Sequence, residues 1–379
     1  MKKVLVRQEK ITIPTYPISA YDKNPMFLEK RVYQGSSGRV YPHPVCEGVS
    51  DTKVDREYDA IYLENDYLLV MILPELGGRI QRMYDKTNGY DAPRARKAMQ
   101  TAFAMDKTDA RVFFELDQLD KTTNAPYAER LVRMQENAAL LPQRDDLYTE
   151  YITLLNLDGQ YQKAYDCIMG HIFHPWEGGE GKIPAQYRLA LMGLAHSADD
   201  DTALALLQQA LTYPHNLGEG KLIGNLDNDL YEMIGELYAK RGDTARAEEA
   251  FRLAARGNFD LTGAMYYNDQ PPQMMYYAAK ALAALGETDE AKKRFAAFID
   301  YAEAHRDDVM EIEYFAVSLP DFLIFEGDLN KNNRVHCCLM EALGALGLGD
   351  NERARQAALR GLAENGCQSE LNRIVKGIL

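Results

Sequence analysis

The sequence predicts a mainly α-helical solenoid of antiparallel helix pairs that follows a short β-rich segment. Within residues 1–91, several stretches alternate between apolar and polar residues, which is typical of strands. From residue 92 to residue 379 the apolar period changes to about 3.6, as in amphipathic helices. A short pattern of glycine, alanine and a larger apolar residue also recurs along this second part. We therefore predict two domains, residues 1–91 and residues 92–379.

The strand signals in the first part form a series of short runs. Val4–Ile13 alternates and is rich in β-branched residues, which indicates a first strand. The runs "AIYLEN" and "YLLVMILP" predict two further strands joined by a tight turn at Asn65-Asp66. Gly77-Gly78 permits a bulge or a close backbone approach, and "RIQRMYD" then predicts another strand. A turn is expected at Thr87-Asn88-Gly89.

Two stretches of this part resemble a known fold. The run "YLENDYLLVMILPELGGRIQRMYDKTNGYD" resembles the opening hairpins of the galactose-mutarotase-like β-supersandwich, and "NPMFLEKRVYQGSSGRVYPHPV" precedes it. Together they resemble a bacterial family of uncharacterised proteins in which such a sandwich precedes helical repeats. The resemblance implies a carbohydrate-active protein. However, a supersandwich needs more strands than fit before Asp91, and its later sugar-contacting residues have no counterpart here, so we expect an incomplete sandwich.

Glu75 and Arg79 flank the "LGG" turn in this region. In folds of the resembled family an arginine near this turn approaches the sugar site, which makes both residues candidates for ligand binding. The competing interpretation is a surface salt bridge beside a bulge.

The helical part carries the recurring pattern at fixed relative positions 0, 5 and 9. Four clear copies place glycine, alanine and an apolar residue at Gly159/Ala164/Ile168, Gly242/Ala247/Phe251, Gly286/Ala291/Phe295 and Gly349/Ala354/Ala358. Weaker copies place their last two members at Ala95/Met99, Ala128/Val132 and Ala203/Leu207. Glycine ends one helix in the left-handed conformation, alanine allows a close helix crossing, and the larger residue fills the groove. This pattern resembles the tetratricopeptide-like signature, and about seven copies exceed the ~3 that a solenoid needs.

Long loops between the repeats supply most of the candidate ligand-binding residues. The loops 173–183, 213–222 and 257–273 follow successive second helices, so solenoid geometry should bring them together along one edge. Aromatic rings with polar tips suit sugars and peptide backbone equally well. The candidates in these loops are His174, Trp176, Lys182, His215, Lys221, Tyr266 and Tyr267. The competing interpretation is that the aromatic residues pack the loops onto the helices.

Catalytic and cofactor motifs find little support in the sequence. The two "GEGK" turns lack the first glycine and the Ser or Thr of a phosphate-binding loop. His171 and His174 have metal-ligand spacing, but Pro175 and neighbouring glycines break the geometry, so we predict no metal. Asp199, Asp227 and Asp229 could form acid–base pairs, but aspartate before a helix more often caps the first turn or complements the helix dipole. We predict no cofactor and assign no catalytic residue.

Composition limits the partners and the compartment. The net charge of −14 disfavours nucleic acid and anionic membrane surfaces as partners. The N-terminus lacks the apolar stretch of a signal peptide, and no run approaches the ~18 apolar residues of a membrane span. We therefore expect a cytoplasmic protein whose partner is a protein or a saccharide. The sequence leaves open whether copies of the chain associate.

Two functions remain. The first is a non-catalytic helical-repeat interaction protein that binds a protein partner or a glycan along the loop edge. The alternative is a truncated member of a carbohydrate-active enzyme family with a mutarotase-like sandwich, acting on saccharides. We favour the first because the chain lacks the strands that would hold a sugar.

Overall fold

The computed structural model describes residues 4–20, 48–86, 92–176, 178–222, 224–261, 270–310 and 328–378. Its contacts divide the chain into two compact units, Met1–Ala95 and Arg96–Leu379. We call them unit 1 and unit 2 and describe each by itself.

Unit 1 contains a four-stranded antiparallel sheet in the order β1-β2-β3-β4. The strands are β1 (Leu5–Thr15), β2 (Val54–Glu64), β3 (Leu68–Leu73) and β4 (Arg79–Asp85). The predicted turn at Asn65 is confirmed, because the Asn65 side chain accepts hydrogen bonds from the backbone N–H groups of Tyr67 (2.8 Å) and Leu68 (2.7 Å). Gly77 and Gly78 follow a short 3₁₀ helix with φ of 75° and 68°, a region that favours glycine.

The core of unit 1 is small. Four buried side chains on β2 and β3 form it: Tyr58, Ala60, Met71 and Leu73. Apolar side chains of β1 and β4 are exposed, among them Leu5, Val6, Ile80 and Met83. The described residues of unit 1 thus form a single sheet, and the mutarotase-like sandwich remains a prediction. The turn predicted at Thr87-Asn88-Gly89 lies outside the described residues.

The helical array begins just before unit 2 and continues through it. The helices are α1 (Ala92–Met105), α2 (Ala110–Thr122), α3 (Tyr127–Glu136), α4 (Asp145–Asp158), α5 (Tyr161–Met169), α6 (Lys182–His196), α7 (Asp200–Ala210), α8 (Asn228–Lys240), α9 (Thr244–Ala254), α10 (Pro272–Ala284), α11 (Thr288–His305), α12 (Leu329–Gly347), α13 (Asn351–Glu364) and α14 (Ser369–Val375). From α4 onward, each helix packs on the next in the chain, so consecutive helices form pairs. The predicted mainly helical, repeat-containing fold is confirmed.

The four clear copies of the glycine–alanine pattern have the predicted structure. Gly159, Gly242, Gly286 and Gly349 all have left-handed φ values between 76° and 92°. The alanines five positions later are buried, and so are the apolar residues that follow them. The copy ending in Ala203 and Leu207 is also buried. These positions form the crossings between paired helices.

The prediction that the weaker copy at Ala128 and Val132 lies at a helix crossing is wrong. Val132 is 53% exposed and Ala128 is also exposed, so neither lies at a helix crossing. Helix α3 instead buries Arg130, Leu131 and Met134. On this buried face Arg130 forms ion pairs with Asp117 and Glu150, each at 2.6 Å.

First helices of successive pairs contact one another at α4–α6, α8–α10 and α10–α12. Across their described residues, α6 and α8 lack an equally close contact. A space therefore opens between these two helices, and the long loops lie beside it. None of the described helices combines the length and apolar character needed to cross a lipid bilayer.

Candidate functional site

A cavity of about 450 Å³ lies between α6, α8 and α10 in unit 2. All three long loops contribute to its walls: Glu180 and Gly181 come from the first loop, Tyr213 and Glu219 from the second, and Gln270 and Pro271 from the third. We call this space the loop cavity. Its volume falls in the range of ligand pockets, which is about 300–1,000 Å³.

Direct contacts hold the first two loops together. The Phe173 backbone N–H donates to the carbonyl of Asn216 at 2.8 Å. The Gly181 N–H donates to Glu219 Oε2 at 2.7 Å. Gly218 is required here, because its φ is 73° and a β-carbon would lie 2.4 Å from the carbonyl oxygen of Phe173. The two loops therefore have a defined mutual position.

A buried ion-pair cluster forms one wall of the loop cavity. Arg188, on α6, donates from Nη1 to Asp227 Oδ1 at 2.6 Å and from Nη2 to Asp229. Lys221 donates to the other carboxylate oxygen of Asp227 and to the Leu211 carbonyl. Although burial opposes its charge, these carboxylates raise the pKa of Arg188 above its ordinary value. Arg188 also hydrogen-bonds Tyr213, whose pKa is raised by burial. The cluster thus links α6 to α8 where the two helices stand apart.

The backbone at Asp227 explains why the cluster forms. Asp227 has φ of 51°, and its side chain caps no backbone N–H of α8. The interpretation of Asp227 as a helix cap is therefore wrong, since its carboxylate binds Arg188 and Lys221 instead. At Asp199 the same interpretation is confirmed, because its side chain accepts from Asp201 N and Thr202 N.

The third loop is tied to the same wall through Asn228. The Asn228 amide donates to the carbonyls of Ala254 (2.6 Å) and Arg256 (2.8 Å), which follow α9. Gln270 donates from Nε2 to Asn228 Oδ1 at 3.1 Å and accepts from the Asn258 N–H at 2.9 Å. These contacts fix both described ends of the third loop.

Two loop carboxylates, those of Glu180 and Glu219, line the loop cavity. Among the described residues, neither Glu180 nor Glu219 forms an ion pair with a cationic side chain. Partial burial raises the pKa of Glu219, and the neighbouring negative charge of Glu180 adds to this effect. Across the described lining there are five carboxylates and two guanidinium groups. The cavity therefore favours positive charge.

The remaining walls combine apolar and aromatic surface. On one side, α10 and α14 supply Tyr277, Glu370 and Arg373, and Arg373 Nη1 donates to the Tyr277 hydroxyl at 3.4 Å. The apolar lining consists of Pro184, Leu189, Met192, Leu222, Leu226, Pro271 and Met274. A ligand with both an apolar part and a cationic group would match this lining.

The sequence-predicted histidines and tryptophan lie beside the loop cavity and do not line it. His174 is exposed, and both its N–H (2.8 Å) and its Nδ1 (3.1 Å) contact Asp145 Oδ2. His171 Nε2 lies 2.7 Å from Asp145 Oδ1. The half-buried Trp176 packs on Gly179, where a β-carbon would lie 2.2 Å from its ring. His215 is exposed in a short 3₁₀ helix. These contacts shape the loops.

The other predicted residues are dispersed. Lys182 begins α6, and Lys221 pairs with Asp227 but is not among the residues that line the loop cavity. Tyr266 and Tyr267 lie outside the described residues. In unit 1, Glu75 accepts from the Asp59 N–H at 3.2 Å and lies 3.5 Å from Arg56 Nη2. Arg79 is exposed at the start of β4.

Sequence reasoning missed the residues that build the cavity walls. The missed side chains are Arg188, Tyr213, Asp227, Asp229, Tyr277, Glu370 and Arg373. One signal could have found Arg188: it is a lone charge in the apolar run "IPAQYRLALMGLAH", and a buried arginine requires a carboxylate partner. No comparable signal marks Arg373, because its partners lie far away in the sequence.

The chain is similar to the following known proteins. A family model described as a domain of unknown function (DUF5107) matches residues 36–101. A chain in the crystal structure of the APC/C hetero-tetramer Cut9-Hcn1 is 12% identical, with a TM-score of 0.33, over 76% of this chain and 46% of that chain. The crystal structure of the P58(IPK) TPR domain is 13% identical, with a TM-score of 0.25, over 76% of this chain and 94% of that one. The match thus spans less than half the length of the first of these structures.

Proposed function

We propose that this chain is a non-catalytic helical-repeat interaction protein that holds a peptide segment of a protein partner in the loop cavity. The observation that carries the proposal is the cavity of about 450 Å³ where the three long loops meet. Its volume suits one or two side chains and the backbone between them, and concave sites with a few polar groups are typical ligand sites.

Charge complementarity indicates the kind of peptide. Glu180 and Glu219 line the cavity without cationic partners among the described residues. A lysine or arginine side chain would neutralise them, and an adjacent apolar side chain would contact Leu189, Met192 and Met274. We infer a peptide that carries a basic residue next to an apolar one.

Several polar side chains that line the cavity already hydrogen-bond within the protein, which favours a peptide over a saccharide as the ligand. Arg188 and Asp227 hydrogen-bond each other, Asp227 also accepts from Lys221, and Asn228 donates to the Ala254 carbonyl. Their polar atoms are therefore already engaged within the protein. A saccharide needs many free donors and acceptors for its hydroxyl groups, since an unpaired buried hydroxyl is costly. The carboxylates of Glu180 and Glu219, which have no cationic partner among the described residues, suit a cationic side chain better than a neutral hydroxyl group. The carbohydrate-active alternative depends on unit 1, where Glu75 is already bound to Asp59 N, and no contact among the described residues favours it.

The proposal is tested by screening the full chain on an immobilised peptide library and on a glycan array. We expect binding to peptides with a basic residue beside an apolar one. The double variant Glu180→Gln/Glu219→Gln should bind them about tenfold more weakly and with a smaller dependence on salt. The matched control Glu248→Gln/Glu249→Gln removes the same charge from the exposed face of α9 and should bind normally. Binding of glycans without peptides, or equal loss in both variants, would contradict the proposal.

A further inference from the structure

Residues 365–378, which we name the closing segment, join the end of unit 2 to its beginning. The segment contains α14 and packs on α12 and α13 through apolar contacts. Leu371 is fully buried and Ile374 is 8% exposed. Leu371 also lies so close to Gly361 that a β-carbon there would be 2.4 Å from Leu371 Cδ1. This side of the segment is tightly packed.

The opposite side of the closing segment contacts the first helices of unit 2 through polar groups. The Asn124 side chain, between α2 and α3, accepts from the Gly366 N–H at 2.7 Å and also donates to the carbonyl of Ala363, near the end of α13, at 2.9 Å. Arg130 Nη1 lies 3.2 Å from Cys367 Sγ. Lys376 donates to the Leu157 carbonyl at the end of α4. The helical array of unit 2 is therefore closed on itself.

The polar side is also packed less tightly than the apolar side. A small cavity of about 30 Å³ lies between the closing segment and helices α4 and α6. This is enough for a water molecule. Asn156 Oδ1 is buried beside it and accepts no hydrogen bond from the described residues. The side that faces the first helices of unit 2 and α6 is therefore the side on which the segment separates most easily.

The same segment forms part of the loop cavity, because Glu370 and Arg373 of α14 line it. We propose that the closing segment is a conformational switch: it separates from the α2–α3 turn, α3, α4 and α6 while it remains packed on α12 and α13, and this separation opens the loop cavity. The opening is a property of the chain itself, whichever ligand the loop cavity takes.

The experiment compares the full chain with the double variant Asn124→Gly/Lys376→Met. Asn124 has φ of 57°, so glycine keeps the backbone conformation and removes only the two side-chain hydrogen bonds. The readout is the rate at which N-ethylmaleimide modifies Cys367, followed by peptide mass mapping. Cys167 on α5, which is also partly buried, is the internal control. A second control, Lys376→Arg, keeps a cationic donor.

We expect Cys367 to react about tenfold faster in the double variant, because local opening becomes more frequent when these hydrogen bonds are lost. Cys167 should react at the wild-type rate, and Lys376→Arg should behave like the wild type. Amide hydrogen exchange should also accelerate in residues 184–192 of α6, among which Arg188, Leu189 and Met192 line the loop cavity. An unchanged rate at Cys367, unchanged exchange in 184–192, or an equal acceleration at Cys167 that indicates general unfolding, would each overturn the proposal.

Discussion

Gly193 of α6 lies directly against the ring of Tyr161 at the start of α5. A β-carbon at position 193 would be 2.4 Å from both Cγ and Cδ1 of that ring. The same relationship recurs between Gly235 and the ring of Phe251, and between Gly347 and the ring of Phe295. In these helix pairs a glycine on one helix faces an aromatic ring on the other, which allows the close approach that the array requires.

Replacing Gly193 by alanine should destabilise unit 2. Overpacking costs about 1–3 kcal/mol, and contact near Cγ leaves the ring little room to move. This cost should exceed the gain of about 1 kcal/mol that alanine brings to a helix interior. The measurement is the midpoint of thermal unfolding, which should fall in Gly193→Ala.

The control for this prediction is Gly220→Ala. A β-carbon at Gly220 meets nothing within 4 Å, so the midpoint should not fall. A Gly193→Ala variant as stable as the wild type would show that the crossing of α5 and α6 is looser than described.

Replacing Arg188 by glutamine should destabilise unit 2 more strongly. Asp227 and Asp229 are each 4% exposed, and the loss of Arg188 leaves their charges without their shared partner. Removing one partner of a buried ion pair costs about 3–5 kcal/mol. Denaturant unfolding at neutral pH measures this cost. Arg252→Gln, which breaks an exposed pair with Glu248 on α9, should change little. Similar small effects in both variants would refute the buried-cluster description.

Asp145 should make stability depend on pH. Burial opposes its ionisation, but hydrogen bonds from His171 and His174 outweigh burial and lower its pKa below 3.8. A lowered pKa in the folded state contributes stability that is present above 3.8 and is lost as pH falls through the folded value. Asp145→Asn should therefore be less stable than the wild type at pH 7, and the difference should shrink at acidic pH.

Unfolding followed by the fluorescence of Trp176, whose loop Asp145 holds, measures this difference at each pH. Asp166→Asn, which changes an exposed carboxyl that accepts from Gln162, is the control and should show little difference at any pH. A constant difference for Asp145→Asn across the acidic range would mean that its ionisation is not linked to folding.

Features that depend on neighbouring residues could be predicted from the sequence. The turn at Asn65 and the left-handed glycines at 159, 242, 286 and 349 follow from local chemistry and short periods. The convergence of the long loops follows from the repeat itself. The cavity walls could not be predicted, because Arg188 meets Asp227 only when α6 and α8 stand apart, and Arg373 meets Tyr277 only when the array closes. Such contacts depend on the tertiary structure of the whole unit.

The central claim is that the loop cavity binds a ligand, and filling the cavity tests it most directly. Ala185 is an exposed helix position that lines the cavity, and Ala245 is an exposed helix position outside its lining. Tryptophan at either position should leave the fold intact, and only Ala185→Trp should occupy the cavity. The measurement is fluorescence anisotropy with a labelled basic-apolar peptide selected from the library. We predict a dissociation constant at least about tenfold higher for Ala185→Trp, as expected at the centre of a binding site, and a wild-type value for Ala245→Trp. Equal affinity of the wild type and Ala185→Trp for this peptide would contradict the account.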